Sequence, residues 1–416
     1  MKIYIFCLVS LLCCSLAAQT NVSGGINSDT DWTKENSPYI ITGNTVVFGT
    51  NTLTIEAGVE VRFEDDVELR IQGSIIALGS EDEEILFTSN SSTPQMGSWK
   101  EIELEFEAVG LFEYVKIEYA ESGLRYNFID TSSRVKYATF QHNMNGIQVD
   151  SGRGQFPITI ESVIFSENDT GIKNFHDEVH LLSCEVVNNR VGVELIESNI
   201  ESCLFKGNTE IGLEGHTSIV QNSTFLENGI GLKQSFSGGS EASVMTGNTI
   251  KDNNIGLVIT GNSPVATFSN NTICNNTTLN VQNTSTYSGQ DLSGNCWCTE
   301  DETEIEDSIF HGLDDVDFGV VIFLPLSDTE CPDTTLSTYE VDPNTTLGFY
   351  PNPVAYELFF KDDEEKQYEI FSMNGVSLRK GKTTDKLDLS ELQKGVYLIK
   401  IIYASKRVIS AKLLKS

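Results

Sequence analysis

Basic residues are scarce in this chain of 416: 27 Lys and Arg stand against 60 Asp and Glu, a formal net charge of −33. So acidic a surface repels phosphate backbones and anionic headgroups, which recruit clustered Lys and Arg, and nucleic-acid binding is excluded. Long apolar runs are also lacking. After the first 19 residues no stretch reaches the roughly 20 apolar residues of a membrane-spanning helix, so no transmembrane segment is expected. Tryptophan is rare, and Trp32, Trp99 and Trp297 follow no period, which makes core or cap packing the expectation for each. What remains, 39% apolar and 9% aromatic residues, is enough for packed cores and argues against wholesale disorder. The length suggests about two or three domains.

The ends of the chain differ from its middle. Lys2, the apolar run Ile3 to Leu16 and the small pair Ala17-Ala18 read as a signal peptide over residues 1–19. The bulky Leu11 and Leu12 before Cys13 argue against a lipoprotein signal, so a soluble exported protein is expected. Six cysteines remain after that segment. Cys274, Cys296, Cys298 and Cys331 crowd the end of the middle region, where one or two bridges are expected in an oxidising compartment. Residues 331–346, rich in Pro, Thr and Asp, read as a linker. From Leu347 to Ser416 there are 12 basic and 9 acidic residues, opposite in sign to the rest. Short alternating segments separated by turn signals such as Asn374-Gly375 and Lys394-Gly395 predict a small antiparallel β-sandwich there.

The middle, residues 20–330, repeats. Aligned on TFQHN, IFSEN, VVNN, LFKGN, TFLEN, TIKDN and TICNN, the terminal residues are Asn143, Asn168, Asn189, Asn208, Asn228, Asn253 and Asn276. Their spacings are 25, 21, 19, 20, 25 and 23 residues. Three residues before each stands an apolar side chain, from Phe140 to Ile273. Gly146, Gly171, Gly192, Gly231 or Gly256 follows three residues after, while an insertion delays Gly212. An earlier, degenerate copy puts Ile117, Ala120 and Gly123 in the same register. Periods this short, rich in β-branched and turn residues, predict one coil of a parallel β-solenoid per repeat. Coils about 4.8 Å apart stack like residues on one another. The apolar positions then form a continuous core, the asparagines an amide ladder, and the glycines a tight bend at positive φ. Cys184 and Cys203 stand five residues before their ladder asparagines and should stack as a buried pair.

Two resemblances follow from these residues. The order Phe349-Tyr350-Pro351-Asn352-Pro353, YEIFSMNGVSL, LDLSELQKGVYLIKI and a Lys-rich end resembles the type A C-terminal sorting domain of type IX secretion cargo, of immunoglobulin-like form. Tyr350, Pro351, Asn352, Pro353, Gly375, Gly395 and Tyr397 carry that motif. The resemblance implies recognition by the type IX machinery and passage through periplasm and outer membrane. Removal of the domain then leaves the protein extracellular or attached to the cell surface. Over roughly residues 40–325 the alternating LTIEAGVEVRF and VELRIQGSIIALG, followed by the Asn-and-Gly coils, resemble right-handed parallel β-helix proteins of the pectate-lyase-like superfamily. That likeness implies a fold, since such helices host lyases, hydrolases, adhesins and scaffolds.

Little catalytic chemistry is assembled in the sequence. Polygalacturonase-like hydrolysis needs clustered aspartates, but Asp65-Asp66 and Asp314-Asp315 lie near opposite ends and Gly215-His216-Thr217 replaces G-H-G. A lyase needs acidic calcium ligands beside a cationic base, and Arg153 and Arg190 show no acidic ladder at matching positions. His176, Glu178 and His180 alternate on one strand face and read as a solvated surface. The acidic run Glu300 to Asp307 reads as a solvated loop; Asp314, Asp315 and Asp317 are weak calcium candidates, without the D-x-[DN]-x-[DN]-G loop. No catalytic residue and no cofactor is assigned. The resulting expectation is a secreted or surface β-helix protein acting as a non-catalytic binding or adhesion module for an extended polymer such as a polysaccharide or surface glycan. The alternatives are a polysaccharide lyase or glycoside hydrolase, and a passive envelope scaffold.

Overall fold

The computed structural model describes residues 19–127, 132–150, 158–174, 179–196, 198–216, 218–236, 243–264 and 267–327. Beyond these it describes 349–350, 352–360, 366–372, 377–403 and 408–415. The signal segment, the linker, Arg153, His176, Glu178, Cys331, Pro351 and Gly375 lie outside the described residues. Contacts divide the chain into two units, Met1–Asp333 and Thr334–Ser416.

The first unit is a parallel β-solenoid. Each regular coil has three short strands, for example Arg134–Lys136, Thr139–Gln141 and Asn145–Val149. Each strand pairs in parallel with its equivalent one coil on. One face is a continuous sheet from Thr30–Trp32 to Thr267–Ser269, and the other two faces join in a second sheet. Strands of three to five residues suit this design, because side-chain alternation needs only one or two inward positions per face.

Those inward positions stack as the repeat predicts. Phe87, Ile117, Phe140, Phe165, Val186, Phe205, Phe225, Ile250 and Ile273 pair in one register and are fully buried. Phe140 stacks on Phe165 with ring centroids 5.2 Å apart, and Phe205 on Phe225 at 4.7 Å. The three tryptophans are buried too; Trp99 stacks on Phe63 at 4.0 Å and donates its indole N–H to the Glu118 carbonyl.

The asparagines sit one step further, inside the corner. The Asn143 amide donates to Asn168 Oδ1 at 3.1 Å and to the Ile117 carbonyl at 3.0 Å. The same pattern runs through Asn168, Asn189, Asn208, Asn228, Asn253 and Asn276. From Asn168 onward each Oδ1 also takes the backbone N–H of the preceding coil's asparagine, as in Asn189 N to Asn208 Oδ1 at 3.0 Å, while Asn143 Oδ1 takes the Ala120 N–H. Corner backbone groups that no strand can pair are thereby satisfied.

A second ladder runs through the preceding corner. There Cys184, Cys203, Ser223, Asn248, Asn271 and Asn295 follow one another, each side chain accepting the N–H of the residue before. Cys184 and Cys203 are free thiols, both buried. Hydrogen bonding from Cys184 and burial both push the Cys203 thiol up. Near the end Cys274 bonds to Cys298, and Cys296 is disulfide-bonded as well.

The glycines act differently from the sequence-based expectation. Positive φ falls on the residue before each ladder asparagine, as in His142, Glu167 and Asn188, and Gly192 is not left-handed. A Cβ on Gly192 would instead lie 2.1 Å from the Gly212 carbonyl oxygen of the next coil. The glycine row is a close-approach seam between coils, where any side chain meets backbone.

The chain closes the solenoid with Ile309–Phe310 and Val320–Ile322, which pair with Leu279–Asn283 and Gly289–Asp291. The acidic run just before is not a loop. Glu302–Asp307 is a short helix whose N-cap Asp301 accepts the Thr303 and Glu304 N–H groups. Acidic residues near a helix N-terminus are favoured by its dipole, so the negative run suits this end.

The second unit holds two antiparallel sheets. Phe349–Tyr350, Glu357–Phe360 and Lys386–Asp388 form one; Ser377–Thr383, Lys366–Ser372, Gly395–Tyr403 and Val408–Lys415 form the other. Leu358, Ile370, Leu387, Ile399, Ile401 and Leu413 lie in their common core. Asn352 ties the start of the unit to its last strand, accepting the Leu414 N–H and donating to the Lys412 carbonyl, both at 2.8 Å. Lys366 is fully buried, bonds the Thr384 carbonyl and lies 5.2 Å over the Phe360 ring.

Candidate ligand-binding face

The first coils carry a cluster of paired carboxylates and arginines. Leu69–Ile71, Trp99–Leu104, Ala120–Tyr126 and Asn145–Val149 stack on one face, and their register sets Arg70, Glu103, Arg125 and Gln148 in one outward row. The carboxylates of Glu68, Glu101 and Glu103 converge within 4.8 Å of one another. Two arginines hold them there. Arg70 reaches Glu68 at 2.7 Å and Glu103 at 2.8 Å, and Arg125 reaches Glu101 at 3.0 Å and Asp150 at 2.6 Å. Burial raises the Glu101 carboxyl above the usual carboxylate range, with Arg125 opposing the shift. Carboxylate, guanidinium and amide groups fixed by one another on a rigid sheet form a preorganised hydrogen-bonding surface.

Beside this face lie two corners unlike those of the later coils. From Ser162 to Asn275 the two left-handed turn positions of each coil carry Ser, Asn, Asp, Glu or Gly, residue types common in turns. In the two earlier coils they carry Tyr114 and Tyr119, then Tyr137 and His142, at φ of 50°, 65°, 51° and 56°. Bulky residues rarely adopt such φ values. The rings pair between coils: Tyr114 with Tyr137 at 4.9 Å and Tyr119 with His142 at 5.4 Å, both stacked. Tyr137 is 44% exposed. Between the two pairs run Val115–Glu118 and Thr139–Gln141, where Glu118 takes hydrogen bonds from Thr88 and Gln141.

The residues singled out from sequence fall elsewhere. Arg190 is not isolated from acidic neighbours as expected: it bridges Asp169 at 2.7 Å and Glu210 at 2.6 Å on the adjacent coils. Its hydrogen bond lowers the Asp169 pKa. The inserted residue after Asn208 shifts Glu210 by one place and hides the row from a fixed spacing. His180 pairs with Asn199 on the next coil at 2.9 Å. Asp314 accepts the His311 N–H and Asp315 the Asp317 N–H, closing local turns. Within the described residues these carboxylates do not join the cluster at Glu68, Glu101 and Glu103. Within the sorting motif, Tyr350 stacks on Phe359 at 6.0 Å and Tyr397 donates to the Gln393 carbonyl.

The Glu68–Arg70–Glu101–Glu103–Arg125 cluster was legible only as alternation. Glu68-x-Arg70 and Glu101-x-Glu103-x-Glu105 each put like-directed side chains on one face, but these coils lack the ladder asparagine that would align them.

Two family models match the chain. One, described as a secretion system C-terminal sorting domain, covers residues 348–416. The other, described as periplasmic copper-binding protein (NosD), covers residues 111–312. No curated protein matches. Among the described residues no helix is long and apolar enough to cross a membrane. The chain is therefore a parallel β-helix protein, similar over residues 111–312 to the NosD family, that ends in a type IX secretion sorting domain and is exported to the cell surface or the extracellular space.

Proposed function

We propose that the solenoid is a non-catalytic binding module for an extended, uncharged polysaccharide, displayed outside the cell. The observation that carries this reading is the pair of aromatic stacks at Tyr114/Tyr137 and Tyr119/His142. Large rings kept in left-handed turns cost conformational energy, and such strain persists where function uses it. Aromatic rings offer apolar area with a polar edge, which suits the mixed faces of sugar rings. Neighbouring polar side chains recur at coil spacing, as a repeating polymer requires. The acidic surroundings, among them Glu113, Glu118 and Glu121, disfavour anionic polymers.

Replacing Tyr137 with Asn tests this. Asn tolerates the left-handed region and already stands at the equivalent turn positions Asn222 and Asn270. Stability is expected to stay within ~1 kcal/mol of the parent, while affinity for the retained polysaccharide, read by affinity electrophoresis, falls at least ~5-fold. Unchanged mobility of the variant in every glycan that retards the parent removes the Tyr114/Tyr137 stack from the site.

A catalytic reading draws on one observation, the Glu68, Glu101 and Glu103 cluster with Arg70 and Arg125. A buried carboxyl with a raised pKa is a general-acid candidate. Both arginines are engaged by carboxylates, however, so neither is poised as a base. We infer in addition a second capacity, binding of a soft metal ion. The family matched by residues 111–312 is described as copper-binding; His142, stacked on Tyr119, and the exposed Met144 two residues on offer imidazole and thioether donors of the type copper takes.

Export follows the sorting domain. Removal of residues 347–416 is expected to leave the chain in the periplasm, read by fractionation and surface labelling. Normal surface display of the truncated chain would refute that role for Tyr350, Pro351, Asn352, Pro353, Gly375, Gly395 and Tyr397.

A further inference from the structure

We propose that the polymer is one whose neutral sugars carry methyl-ended substituents, N-acetyl groups foremost, and that it crosses the sheet face between Tyr114 and Phe106. This rests on the polysaccharide reading above and deepens it. The strand Val109–Glu113 joins two aromatic turns: Phe106 lies three residues before it and Tyr114 immediately after. Phe106 is 63% exposed, and its turn is closed by the Ala108 N–H on the Glu105 carbonyl at 3.0 Å. Five strand residues at about 3.3 Å each put roughly 16 Å between the two turns, a path for several sugar units rather than one.

The surface along that path is apolar, with polar coils on either side. Side chains alternate along a strand. Val109 and Leu111 alternate with the buried Gly110 and Phe112, as Ile76 and Leu78 do with Ile75 and Ala77. All four are therefore turned outward. Leu111 pairs with Ile76, and Leu78, 38% exposed, stands beside Glu113. At the Leu111 position the next four coils carry Arg134, Thr159, His180 and Asn199, and the coil before Ile76 carries Thr54. A contiguous apolar patch with a polar rim marks a surface that is covered in use.

The rim carries its charges in pairs. Arg134 reaches Glu113 at 2.7 Å, and Lys136 is paired with Glu161. A charged polymer finds no unmatched countercharge at these four residues, which favours a neutral one. Aliphatic side chains offer no hydrogen bonds, so a hydroxyl set down on them loses its water without replacement. A methyl set down there leaves water at a gain. An N-acetyl group brings that methyl together with an amide, whose carbonyl suits the Arg134 guanidinium and whose N–H suits the Glu113 carboxylate at the edge of the patch. The aromatic rings at both ends take the apolar faces of the sugars.

The test is calorimetric titration of the full secreted chain with N-acetylglucosamine hexamer and with cellohexaose. Both are neutral and β-1,4-linked, and they differ only in carrying N-acetyl or hydroxyl at carbon 2. Leu111→Thr, Phe106→Ser and Tyr137→Asn are compared with the parent, with thermal midpoints as the folding check. Thr already stands at the Leu111 position two coils on, at Thr159. Ile219→Thr, at an outward position of the same sheet in a later coil, is the control. The parent is expected to bind the N-acetylated hexamer at least ~10-fold more tightly than cellohexaose, the low end of what one small apolar group contributes to discrimination. Leu111→Thr should cut that ratio below ~3-fold, and Ile219→Thr should match the parent. Phe106→Ser should weaken the hexamer at least ~5-fold while leaving N-acetylglucosamine disaccharide unaffected. Equal affinity of the parent for the two hexamers, with Tyr137→Asn weakening both, overturns this assignment and leaves the wider polysaccharide reading standing. Binding to neither hexamer also overturns it, and if no neutral polysaccharide is bound at all the wider reading falls with it. Self-association in sedimentation that Leu111→Thr abolishes would make the patch a contact between copies of the chain and overturn the assignment.

Discussion

Gly192→Ala is expected to destabilise the solenoid by about 3 kcal/mol or more, the upper range for forcing atoms into a packed interior. The added methyl would lie 2.1 Å from the Gly212 carbonyl oxygen and 3.1 Å from a Val186 methyl. Backbone cannot rotate away as a side chain can, so the two coils must separate. Separation strains the strands on both sides of the seam, because Val191–Ile196 pairs with Ile211–His216 along its length. Gly43→Ala is the control, since its new methyl meets nothing nearer than the Ser23 Cβ at 3.6 Å. Urea unfolding followed by far-ultraviolet circular dichroism measures both. Equal midpoints for the two variants would show that the glycine row does not set the coil spacing.

The second large effect is at the amide ladder. Asn208→Ala removes an acceptor for the Asn189 N–H at 3.0 Å and a donor to the Val186 carbonyl at 2.9 Å. The Asn189 amide retains the Phe165 carbonyl, and Asn228 Oδ1 retains the Asn208 N–H. Two backbone groups are therefore left buried without these partners. At about 1–3 kcal/mol for each unsatisfied group, a loss of about 2–6 kcal/mol is expected in the same urea assay. Asn254→Ala, at an exposed position where only a Thr278 hydroxyl is lost, should change the midpoint by less than ~0.5 kcal/mol. A similar shift in both variants would mean that the ladder amides contribute no more than surface ones.

The repeat was legible because its two strongest signals are strictly local. An apolar residue three places before an asparagine is enough to place both in one coil, and Phe140 to Ile273 and Asn143 to Asn276 stack in that register. Cys184 and Cys203 were legible for the same reason. Their ladder continues into Asn248, Asn271 and Asn295, whose five-residue offset from Asn253 and Asn276 carries the signal for the first two. The role of the glycines was not legible, because close approach between coils and positive φ both select glycine. Only the positions of the neighbouring backbone separate the two.

The site was harder to read than the fold. Arg190 lies between Asp169 and Glu210, yet one inserted residue breaks the spacing that would reveal it. Arg70 and Arg125 converge on carboxylates up to 33 residues away in sequence, in coils without the ladder asparagine. Tyr114, Tyr119 and Tyr137 look like ordinary strand-flanking aromatics until the backbone places them at left-handed turns. Convergence across coils depends on register, and register is visible in sequence only where the repeat is regular.

The decisive measurement is binding and product formation on the same samples. The secreted chain is incubated with a panel of neutral and anionic plant, algal and bacterial polysaccharides, with and without calcium. Reducing ends and unsaturated products are followed alongside equilibrium binding. Saturable binding to an uncharged polymer, weakened in Tyr137→Asn and accompanied by no new ends, is the expected result. Turnover that disappears in Glu101→Gln while Tyr137→Asn retains it would contradict the binding-module reading and make the carboxylate–arginine face a catalytic one.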